Sequence, residues 1–314
     1  MEEVSCDLCG SKRYREIYSM PDILFHPDEW FSVVECIECG LGFTNPRPSA
    51  TEIGRYYPPE FFANFEVVDH RYRYAREAAY LEDLDGSRRL LDVGCANGDF
   101  PRFMRARGWD VTGVETSLAA RVIDDFPVFR CELPGIPLEA GSFDAITAWA
   151  VLEHVHNPRA YFAKVADLLV AGGRFVFLVT NFESWPSRYL FREDLPRHLY
   201  FFTEKSVRRY MREVGLELMR VDHSRDIFDL RSVNWLRFVV YRYLLRRQLR
   251  WEDLPERPAE YFGRFGGNGL VAKLCYVITH PSAVLDRMLL PAFELFAPKR
   301  VSRGAIVFVA RKRA

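Results

Sequence analysis

The residues best placed to do chemistry lie where a short apolar segment runs into a glycine-containing turn. Residues 90–98 read LLDVGCANG, and an acidic residue, Glu115, follows the next apolar segment at 110–114. Glycine lets the backbone approach a ligand closely and adopt positive φ. An acidic side chain at the end of the second strand can accept both hydroxyls of a ribose. The pattern therefore predicts a site for a nucleoside-type cofactor.

The glycine spacing disfavours a dinucleotide as that cofactor. A pyrophosphate favours the pattern GxGxxG, which places the phosphates on a helix N-terminus. Here the glycines are Gly94 and Gly98, and Cys95 rather than a further glycine follows the first. We therefore expect a cofactor without a pyrophosphate.

The elements that must position this turn alternate along the chain from residue 88 onward. Apolar segments of strand length are separated by helical segments, which predicts an α/β fold with a doubly wound parallel sheet. A helix is expected from Thr203 to about Val214, ended by Gly215 before a strand at 216–223. Ligands of such sheets bind at the carboxyl ends of the strands.

Ordered segments in this region resemble the motifs of class I S-adenosylmethionine-dependent methyltransferases. They are DVGCANGDF at 92–100, VETS at 114–117, GSFDAI at 141–146, VLEHVHNP at 151–158 and VAGGRFV at 170–176. The resemblance covers residues 88–223 and a last strand near 305–311. It implies a Rossmann-like sheet of seven strands and S-adenosylmethionine as the cofactor.

The resemblance also implies roles for residues around the cofactor. Glu115 is expected to accept the ribose hydroxyls, Thr116 to pack near the adenine, and Glu132 to contact the adenine amine. Asp92 would orient the glycine turn or meet the amino group of the methionine part. The expected cofactor-binding set is Asp92, Gly94, Cys95, Ala96, Asn97, Gly98, Glu115, Thr116, Glu132 and Trp149.

Two pairs of cysteines lie near the N-terminus. Cys6 and Cys9 form one CxxC pair, and Cys36 and Cys39 form a second. Four thiolates at this spacing can bind a tetrahedral Zn²⁺ ion, which would supply much of the folding free energy of so small a unit. Paired disulfides, or a ribbon that has lost its metal, are the alternatives.

The residues after the second pair indicate a substrate class by resemblance. Residues 43–48 read FTNPRP. Paired CxxC knuckles followed by TNPRP and a methyltransferase domain resemble a group of bacterial methyltransferases of sugar, surface-polysaccharide and secondary-metabolite pathways. The group includes sugar C-methyltransferases that act on nucleotide-linked keto-sugars. The resemblance implies a small-molecule, sugar-type acceptor and O- or C-methylation.

Such an acceptor needs a base to remove a proton, and histidine has a suitable pKa. Residues 196–203 read PRHLYFFT, which resembles the EHxxYFT segment where some sugar C-methyltransferases place their base. His198 is therefore the expected base, with Tyr200 nearby, and His154 is the second candidate. Arg197 stands where the family has glutamate, so we expect it to bind an acidic group of the substrate.

The chain divides into four expected segments. They are a zinc ribbon at 1–48, a helical lid or linker at 49–87, the cofactor-binding domain at 88–224 with 304–314, and a helical insert at 225–303. In the lid, Tyr56 and Tyr57 are expected to contact the substrate. The insert is expected to cover the substrate or to make an oligomer contact such as a homodimer.

The insert contains a basic segment, residues 231–250, with six arginines and no acidic residue. One interpretation is an amphipathic helix that contacts a membrane surface, an RNA backbone or a partner. The other is a helix packed within the protein or against a second copy, with arginines that extend their charged ends into solvent. Residues 269–297 are apolar but interrupted by charges and prolines, so we expect no bilayer span.

The composition limits the classes of partner. The 314 residues carry 43 basic and 43 acidic side chains, a formal net charge of zero. The protein therefore has no net positive charge that would attract it to nucleic acid. The N-terminus is unlike a secretory signal, and we expect a cytoplasmic protein.

The sequence features are compatible with three functions. The first is methyl transfer to a small molecule, and the second is an RNA-directed methyltransferase that uses the ribbon and the basic segment. The third is a non-catalytic, zinc-dependent binding or assembly protein. Neutral charge disfavours the second function.

Overall fold

The computed structural model describes residues 1–22, 24–58, 71–84, 86–117, 123–185, 187–188, 195–223, 239–246 and 269–313. The chain forms two compact units. The larger comprises Met1–Phe182, Glu193–Asp229 and Ala305–Ala314, and the smaller comprises Glu183–Arg192 and Leu230–Gly304.

The larger unit contains eleven strands among its described residues. They are β1 (Tyr14–Asp22), β2 (His26–Cys36), β3 (Gly42–Thr44), β4 (Arg89–Val93), β5 (Asp110–Val114), β6 (Val128–Phe129), β7 (Phe143–Trp149), β8 (Leu169–Thr180), β9 (Tyr200–Phe201), β10 (Leu216–Asp222) and β11 (Ala305–Lys312). Its helices are α1 (Arg71–Ala78), α2 (Asp99–Arg105), α3 (Pro158–Leu168) and α4 (Glu204–Glu213).

Seven of these strands form one mixed sheet in the spatial order β10-β11-β8-β7-β4-β5-β6. Strands β4 to β8 pair with one another in parallel, whereas β11 runs antiparallel to both β8 and β10. Strand β7 is buried along its whole length, as expected for a central parallel strand covered on both faces. The predicted α/β fold with a seven-stranded, Rossmann-like sheet is confirmed.

Local signals set the ends of the helices around this sheet. The side chain of Thr203 accepts a hydrogen bond from the Ser206 N–H, and the Ser206 hydroxyl contacts the Thr203 N–H in return, so α4 begins with a capping box. The predicted start of this helix is confirmed. Asn157 caps α3 in a similar way by accepting from the Ala160 N–H.

The N-terminal residues form a second, four-stranded antiparallel sheet in the order β1-β2-β3-β9. Its fourth strand comes from far along the chain, because Phe43 of β3 pairs with Tyr200 of β9 and Gly42 pairs with Phe201. The N-terminal sheet therefore incorporates a strand from residues 200–201, and both sheets belong to the same compact unit.

The smaller unit is helical in its described part. It contains α5 (Leu270–Thr279), α6 (Pro281–Phe296), α7 (Lys299–Ser302) and a π-helical turn at Val240–Leu244. Most of the basic segment at 231–250 lies outside the described residues. Of the helices described, none combines the length and the apolar character that crossing a bilayer requires.

A buried ion pair joins the end of β1 to the segment before β9. Asp22 and Arg197 are both fully buried, and an Arg197 Nη2 atom lies 3.1 Å from Asp22 Oδ1. The guanidinium also donates to the carbonyl oxygens of Tyr56 and Leu195. Because two charges taken out of water need each other, removal of one leaves the other uncompensated.

We predict that Asp22→Ala lowers the free energy of unfolding by about 3–5 kcal/mol, the cost of leaving one buried charge unpaired. Chemical denaturation of the purified protein measures this value. Glu35→Ala is the matched control, since it breaks the pair between Glu35 and the exposed Arg15 in the same sheet. The control should cost no more than about 1 kcal/mol. Equal losses in the two variants would contradict the structural role of the buried pair.

Candidate active site

Three adjacent parallel strands place their carboxyl ends side by side. Strand β4 pairs with β5 on one side and with β7 on the other. The glycine turn follows β4, Glu115 follows β5, and residues 150–156 follow β7. Residues from three separate parts of the sequence therefore meet at one edge of the sheet, where α/β proteins bind ligands.

The turn after β4 requires glycine at two positions. Gly94 and Gly98 have φ values of 72° and 80°, a region that glycine adopts at little cost. A Cβ atom at Gly94 would lie 2.4 Å from Cγ2 of Val151, so the turn also packs directly against the segment after β7. Gly98 immediately precedes α2.

The carboxylate of Glu115 holds this turn in place. One oxygen accepts from the Ala96 N–H at 2.8 Å, and the other accepts from the Ser117 N–H at 2.7 Å. A carboxylate oxygen has two lone pairs, so each oxygen can still accept a hydroxyl hydrogen. The geometry fits the predicted contact with the two ribose hydroxyls.

The other residues of the expected adenosine site lie around this edge. Thr116 and Ala96 are exposed, Asn97 is half-buried, and Cys95 is buried. Glu132 is exposed and precedes a short 3₁₀ helix. Burial raises the pKa of the Tyr161 hydroxyl, and the charges of Glu132 and Glu115 raise it further.

Asp92 and Trp149 lie deeper in the site. Asp92 is buried at the end of β4, and its Oδ1 accepts a hydrogen bond of 2.6 Å from the Thr147 hydroxyl. Burial raises the pKa of this carboxyl to about 8. Trp149 ends β7, and its ring packs against Tyr80 and Phe100.

Two histidines meet beside the segment after β7. The rings of His154 and His198 have centroids 4.6 Å apart in an edge-to-face arrangement. The Nδ1 atom of His154 lies 3.1 Å from the Arg197 carbonyl oxygen and 3.0 Å from the Tyr57 hydroxyl. A carbonyl only accepts, so the contact with Arg197 is a hydrogen bond when Nδ1 carries the proton. Imidazole is a side chain that can serve as a general base, and two of them meet at this place.

Sequence reasoning gave no role to Glu153, which is buried beside these histidines. Glu153, His154 and His198 offer ligand atoms that all lie within 4.8 Å of one another. The carboxylate can orient the imidazoles electrostatically, and the three groups are of the types that bind a divalent cation. The signal was present in the sequence, because Glu153 belongs to the LEHV motif.

Three expected site residues have other partners in the structure. Arg197 is not directed at a substrate anion, because its guanidinium is buried against Asp22. The Tyr200 hydroxyl lies away from His198, donating to the His156 carbonyl and accepting from Arg47. Tyr56 ends a short 3₁₀ helix and is buried against the N-terminal sheet.

The hydroxyl of Tyr56 donates to Glu29 at 2.6 Å, which accounts for its burial there. Its neighbour Tyr57 contacts the ring of His154 instead. Of the two tyrosines expected at the substrate, only Tyr57 therefore reaches the histidine pair.

The four N-terminal cysteines converge on one point. The Sγ atoms of Cys6 and Cys39 are 3.4 Å apart, and those of Cys9 and Cys36 are 3.5 Å apart. These distances are too long for disulfide bonds and close to the edge of about 3.8 Å in a tetrahedron with Zn–S bonds of about 2.3 Å. The four residues fit a structural Zn²⁺ ion and leave no ligand position for a substrate.

The fold and the glycine turn define a nucleoside-binding α/β protein of the Rossmann-like type. Residues 68–221 match the model of a family described as a methyltransferase domain. Over 189 residues the chain is 36% identical to a ubiquinone biosynthesis O-methyltransferase of Alkalilimnicola ehrlichii, covering 51% of this chain and 75% of that protein. The chain therefore belongs to the class I S-adenosylmethionine-dependent methyltransferase family.

Other relatives carry different names. A tRNA U34 carboxymethyltransferase of Alcanivorax borkumensis is 29% identical over 200 residues, which are 58% of this chain and 62% of that protein. The chain spans between 56% and 62% of the length of the first three curated relatives that it matches.

Solved structures share the fold. The structure described as the [4+2]-cyclase SpnF superimposes with a TM-score of 0.50 at 16% identity, covering 86% of this chain and 98% of that one. Because a protein of this fold carries the name of a cyclase, the fold alone does not decide the reaction.

We predict about one equivalent of zinc per chain, held by Cys6, Cys9, Cys36 and Cys39. Metal analysis of protein purified without added zinc measures it. Cys39→Ser should lose most of the zinc and lower the melting temperature, because binding energy contributes to folding. Cys131→Ser, at an exposed cysteine outside the cluster, should retain the metal. Well-folded wild-type protein with less than half an equivalent would contradict the assignment.

Proposed function

We propose that the protein transfers the methyl group of S-adenosylmethionine to a small-molecule acceptor, a sugar or nucleotide-sugar type metabolite, with a histidine as general base. The observation that carries this proposal is the position of the His154–His198 pair. His154 lies on the segment after β7, whose Val151 side chain packs against the glycine turn expected to hold the cofactor, and the ring of His198 contacts that of His154.

The cofactor would be held by groups already in place at the strand ends. When bound, S-adenosylmethionine supplies an activated methyl group, so the protein has mainly to orient the acceptor. Glu115 would accept the two ribose hydroxyls, and the backbone of residues 94–98 would lie along the ribose and the methionine part. Glu132 and Thr116 would border the adenine.

The acceptor needs to lose a proton when its hydroxyl oxygen, or a carbon beside a ketone, takes the methyl group. His198 would take this proton, and the edge-to-face contact with His154 would fix the orientation of its ring. Glu153 would favour the protonated imidazolium electrostatically. Tyr57, which contacts His154, would border the acceptor.

The sugar-type acceptor is supported by the order of the sequence motifs. Paired CxxC knuckles, the FTNPRP segment and the PRHLYFFT segment occur here in the order found in the sugar methyltransferases that the sequence resembles. The name of the Alkalilimnicola relative, a biosynthetic O-methyltransferase, supports a small acceptor in general.

An RNA-directed methyltransferase is the second candidate function. It is favoured by the Alcanivorax relative, which is named for a tRNA nucleotide. A tRNA ligand would bind through its phosphates, so its affinity should fall steeply with salt. Titration of total tRNA at two salt concentrations distinguishes the two functions. Tight, salt-dependent binding together with methylation of tRNA would replace the small-molecule proposal.

We predict that S-adenosylhomocysteine binds the wild-type protein and that Glu115→Ala weakens this binding by on the order of 2–4 kcal/mol, since two charge-assisted hydrogen bonds are lost. Isothermal titration calorimetry measures the change. Glu139→Ala, at an exposed acidic residue, should leave the affinity unchanged. A wild-type protein that binds no cofactor product would favour the non-catalytic, zinc-dependent alternative.

We also predict that His198→Ala lowers turnover about 10²- to 10⁴-fold, as expected for loss of a general base, while cofactor affinity stays nearly constant. A screen of nucleotide-sugars with labelled cofactor supplies the acceptor for this assay. His280→Ala, in the smaller unit, is the control and should retain activity. Near wild-type turnover in His198→Ala would transfer the base role to His154.

A further inference from the structure

One face of α1 is directed toward the carboxyl ends of β4 and β7. The ring of Tyr74 packs against Phe100 of α2, with centroids 6.2 Å apart. Tyr80, just after α1, packs against Trp149 at the end of β7, and Trp149 packs in turn against Phe100. Glu77 lies between the two tyrosines at a spacing of three residues, so it shares their face.

Glu77 is fully buried on this face. Its Oε1 accepts a hydrogen bond of 2.6 Å from Arg73 Nε, one turn earlier in the helix. Its Oε2 has no hydrogen-bond partner among the described residues. A buried carboxylate oxygen without a donor is costly, so the position is suited to a ligand that brings one.

Asp92 is the second buried carboxylate of this region, and it lies next to the glycine turn. Burial raises its pKa, and the charge of Glu77 raises that pKa further, so the two carboxylates are close enough to repel. Burial likewise raises the pKa of Glu77 to about 7, with Arg73 opposing the shift. A cation bound near the two carboxylates would favour their charged forms and so lower both pKa values.

Trp149 provides an independent indication of a ligand. The side chain is 8% exposed, and its indole Nε1 has no hydrogen-bond partner among the described residues. Indole N–H only donates. An acceptor oxygen on Glu77 and a donor on Trp149 are therefore both buried in one aromatic cluster, which suits a ligand with a positive and a negative end.

We propose that Glu77 accepts a hydrogen bond from the α-ammonium group of the cofactor's methionine part, and that Trp149 Nε1 donates to its α-carboxylate. This inference rests on the proposed function, because it assigns the amino-acid end of the same cofactor. Glu77 precedes the glycine turn and is part of none of the motifs by which the sequence resembles the family.

The alternative is that Glu77 serves only as the partner of Arg73 within α1. In that case its loss would affect folding or would weaken all ligands of the site alike. The two roles are separated by ligands that share the adenosine part and differ in the amino-acid part. S-adenosylhomocysteine has both parts, whereas methylthioadenosine lacks the amino-acid part.

The experiment is calorimetric titration of both ligands into wild-type protein, Glu77→Gln, Trp149→Phe and the control Glu82→Gln, which alters an exposed glutamate of the same segment. Glu77→Gln should weaken S-adenosylhomocysteine roughly 10- to 100-fold and change methylthioadenosine less than about twofold. Trp149→Phe should show the same selectivity with a smaller loss, because a neutral donor is removed. Glu82→Gln should match wild type.

A ligand-side measurement on the unaltered protein keeps the test decisive if Glu77→Gln does not fold. Replacing the α-amino group of S-adenosylhomocysteine by hydrogen should weaken its binding to the wild-type protein by a factor similar to that caused by Glu77→Gln. Equal affinity for the two compounds would overturn the inference, as would equal weakening of both ligands in Glu77→Gln. If wild-type protein binds neither ligand, the proposed function fails as well, whereas binding that depends on Glu115 but not on Glu77 overturns this inference alone.

Discussion

Residues 195–201 are held from two sides, and the position of the histidine pair depends on them. On one side, the Thr44 hydroxyl donates to the His198 carbonyl at 2.7 Å, and β9 pairs with β3. On the other side, the Glu153 carbonyl accepts from the N–H groups of Leu199 and Tyr200. The backbone of His198 is therefore fixed between the N-terminal sheet and the segment after β7, which also carries His154.

This arrangement makes the N-terminal sheet a support of the candidate active site, because it holds the backbone of His198. The cysteine cluster joins the turn before β1 to the turn between β2 and β3. Strand β3 follows the second cysteine pair directly. The buried Asp22–Arg197 pair anchors the same segment at a second point. A metal that stabilises the sheet would thus also stabilise the orientation of a ring far from the cysteines in sequence.

Most of the fold and part of the site could be predicted from the sequence, because the signals are local. The glycine turn, the acidic end of β5 and the cap at Thr203 are each contained within a few residues, and the structure has them at the expected places. The convergence of the four cysteines follows from their paired spacing.

The directions of individual side chains could not be predicted in this way. Arg197 finds its partner Asp22 in the N-terminal sheet, and Tyr200 faces Arg47 because a strand of only two residues pairs with β3. These contacts depend on pairing between segments far apart in the chain, which the spacing of residues in the sequence does not indicate. The proposed role of Glu77 could not be predicted for a related reason, since a single acidic residue in a helix becomes distinctive only when the structure shows it to be buried.

The shared strand pairing between β3 and β9 has a consequence for how such proteins can change over evolutionary time. A metal-binding module attached by a flexible linker could be exchanged for another or lost without harm to the enzyme that carries it. Here an exchange would expose the edge of β9 and would leave the buried guanidinium of Arg197 without its carboxylate partner. A replacement N-terminal sheet would have to supply both the strand that pairs with β9 and the carboxylate that pairs with Arg197. The two parts are therefore expected to be inherited together, as one evolutionary unit.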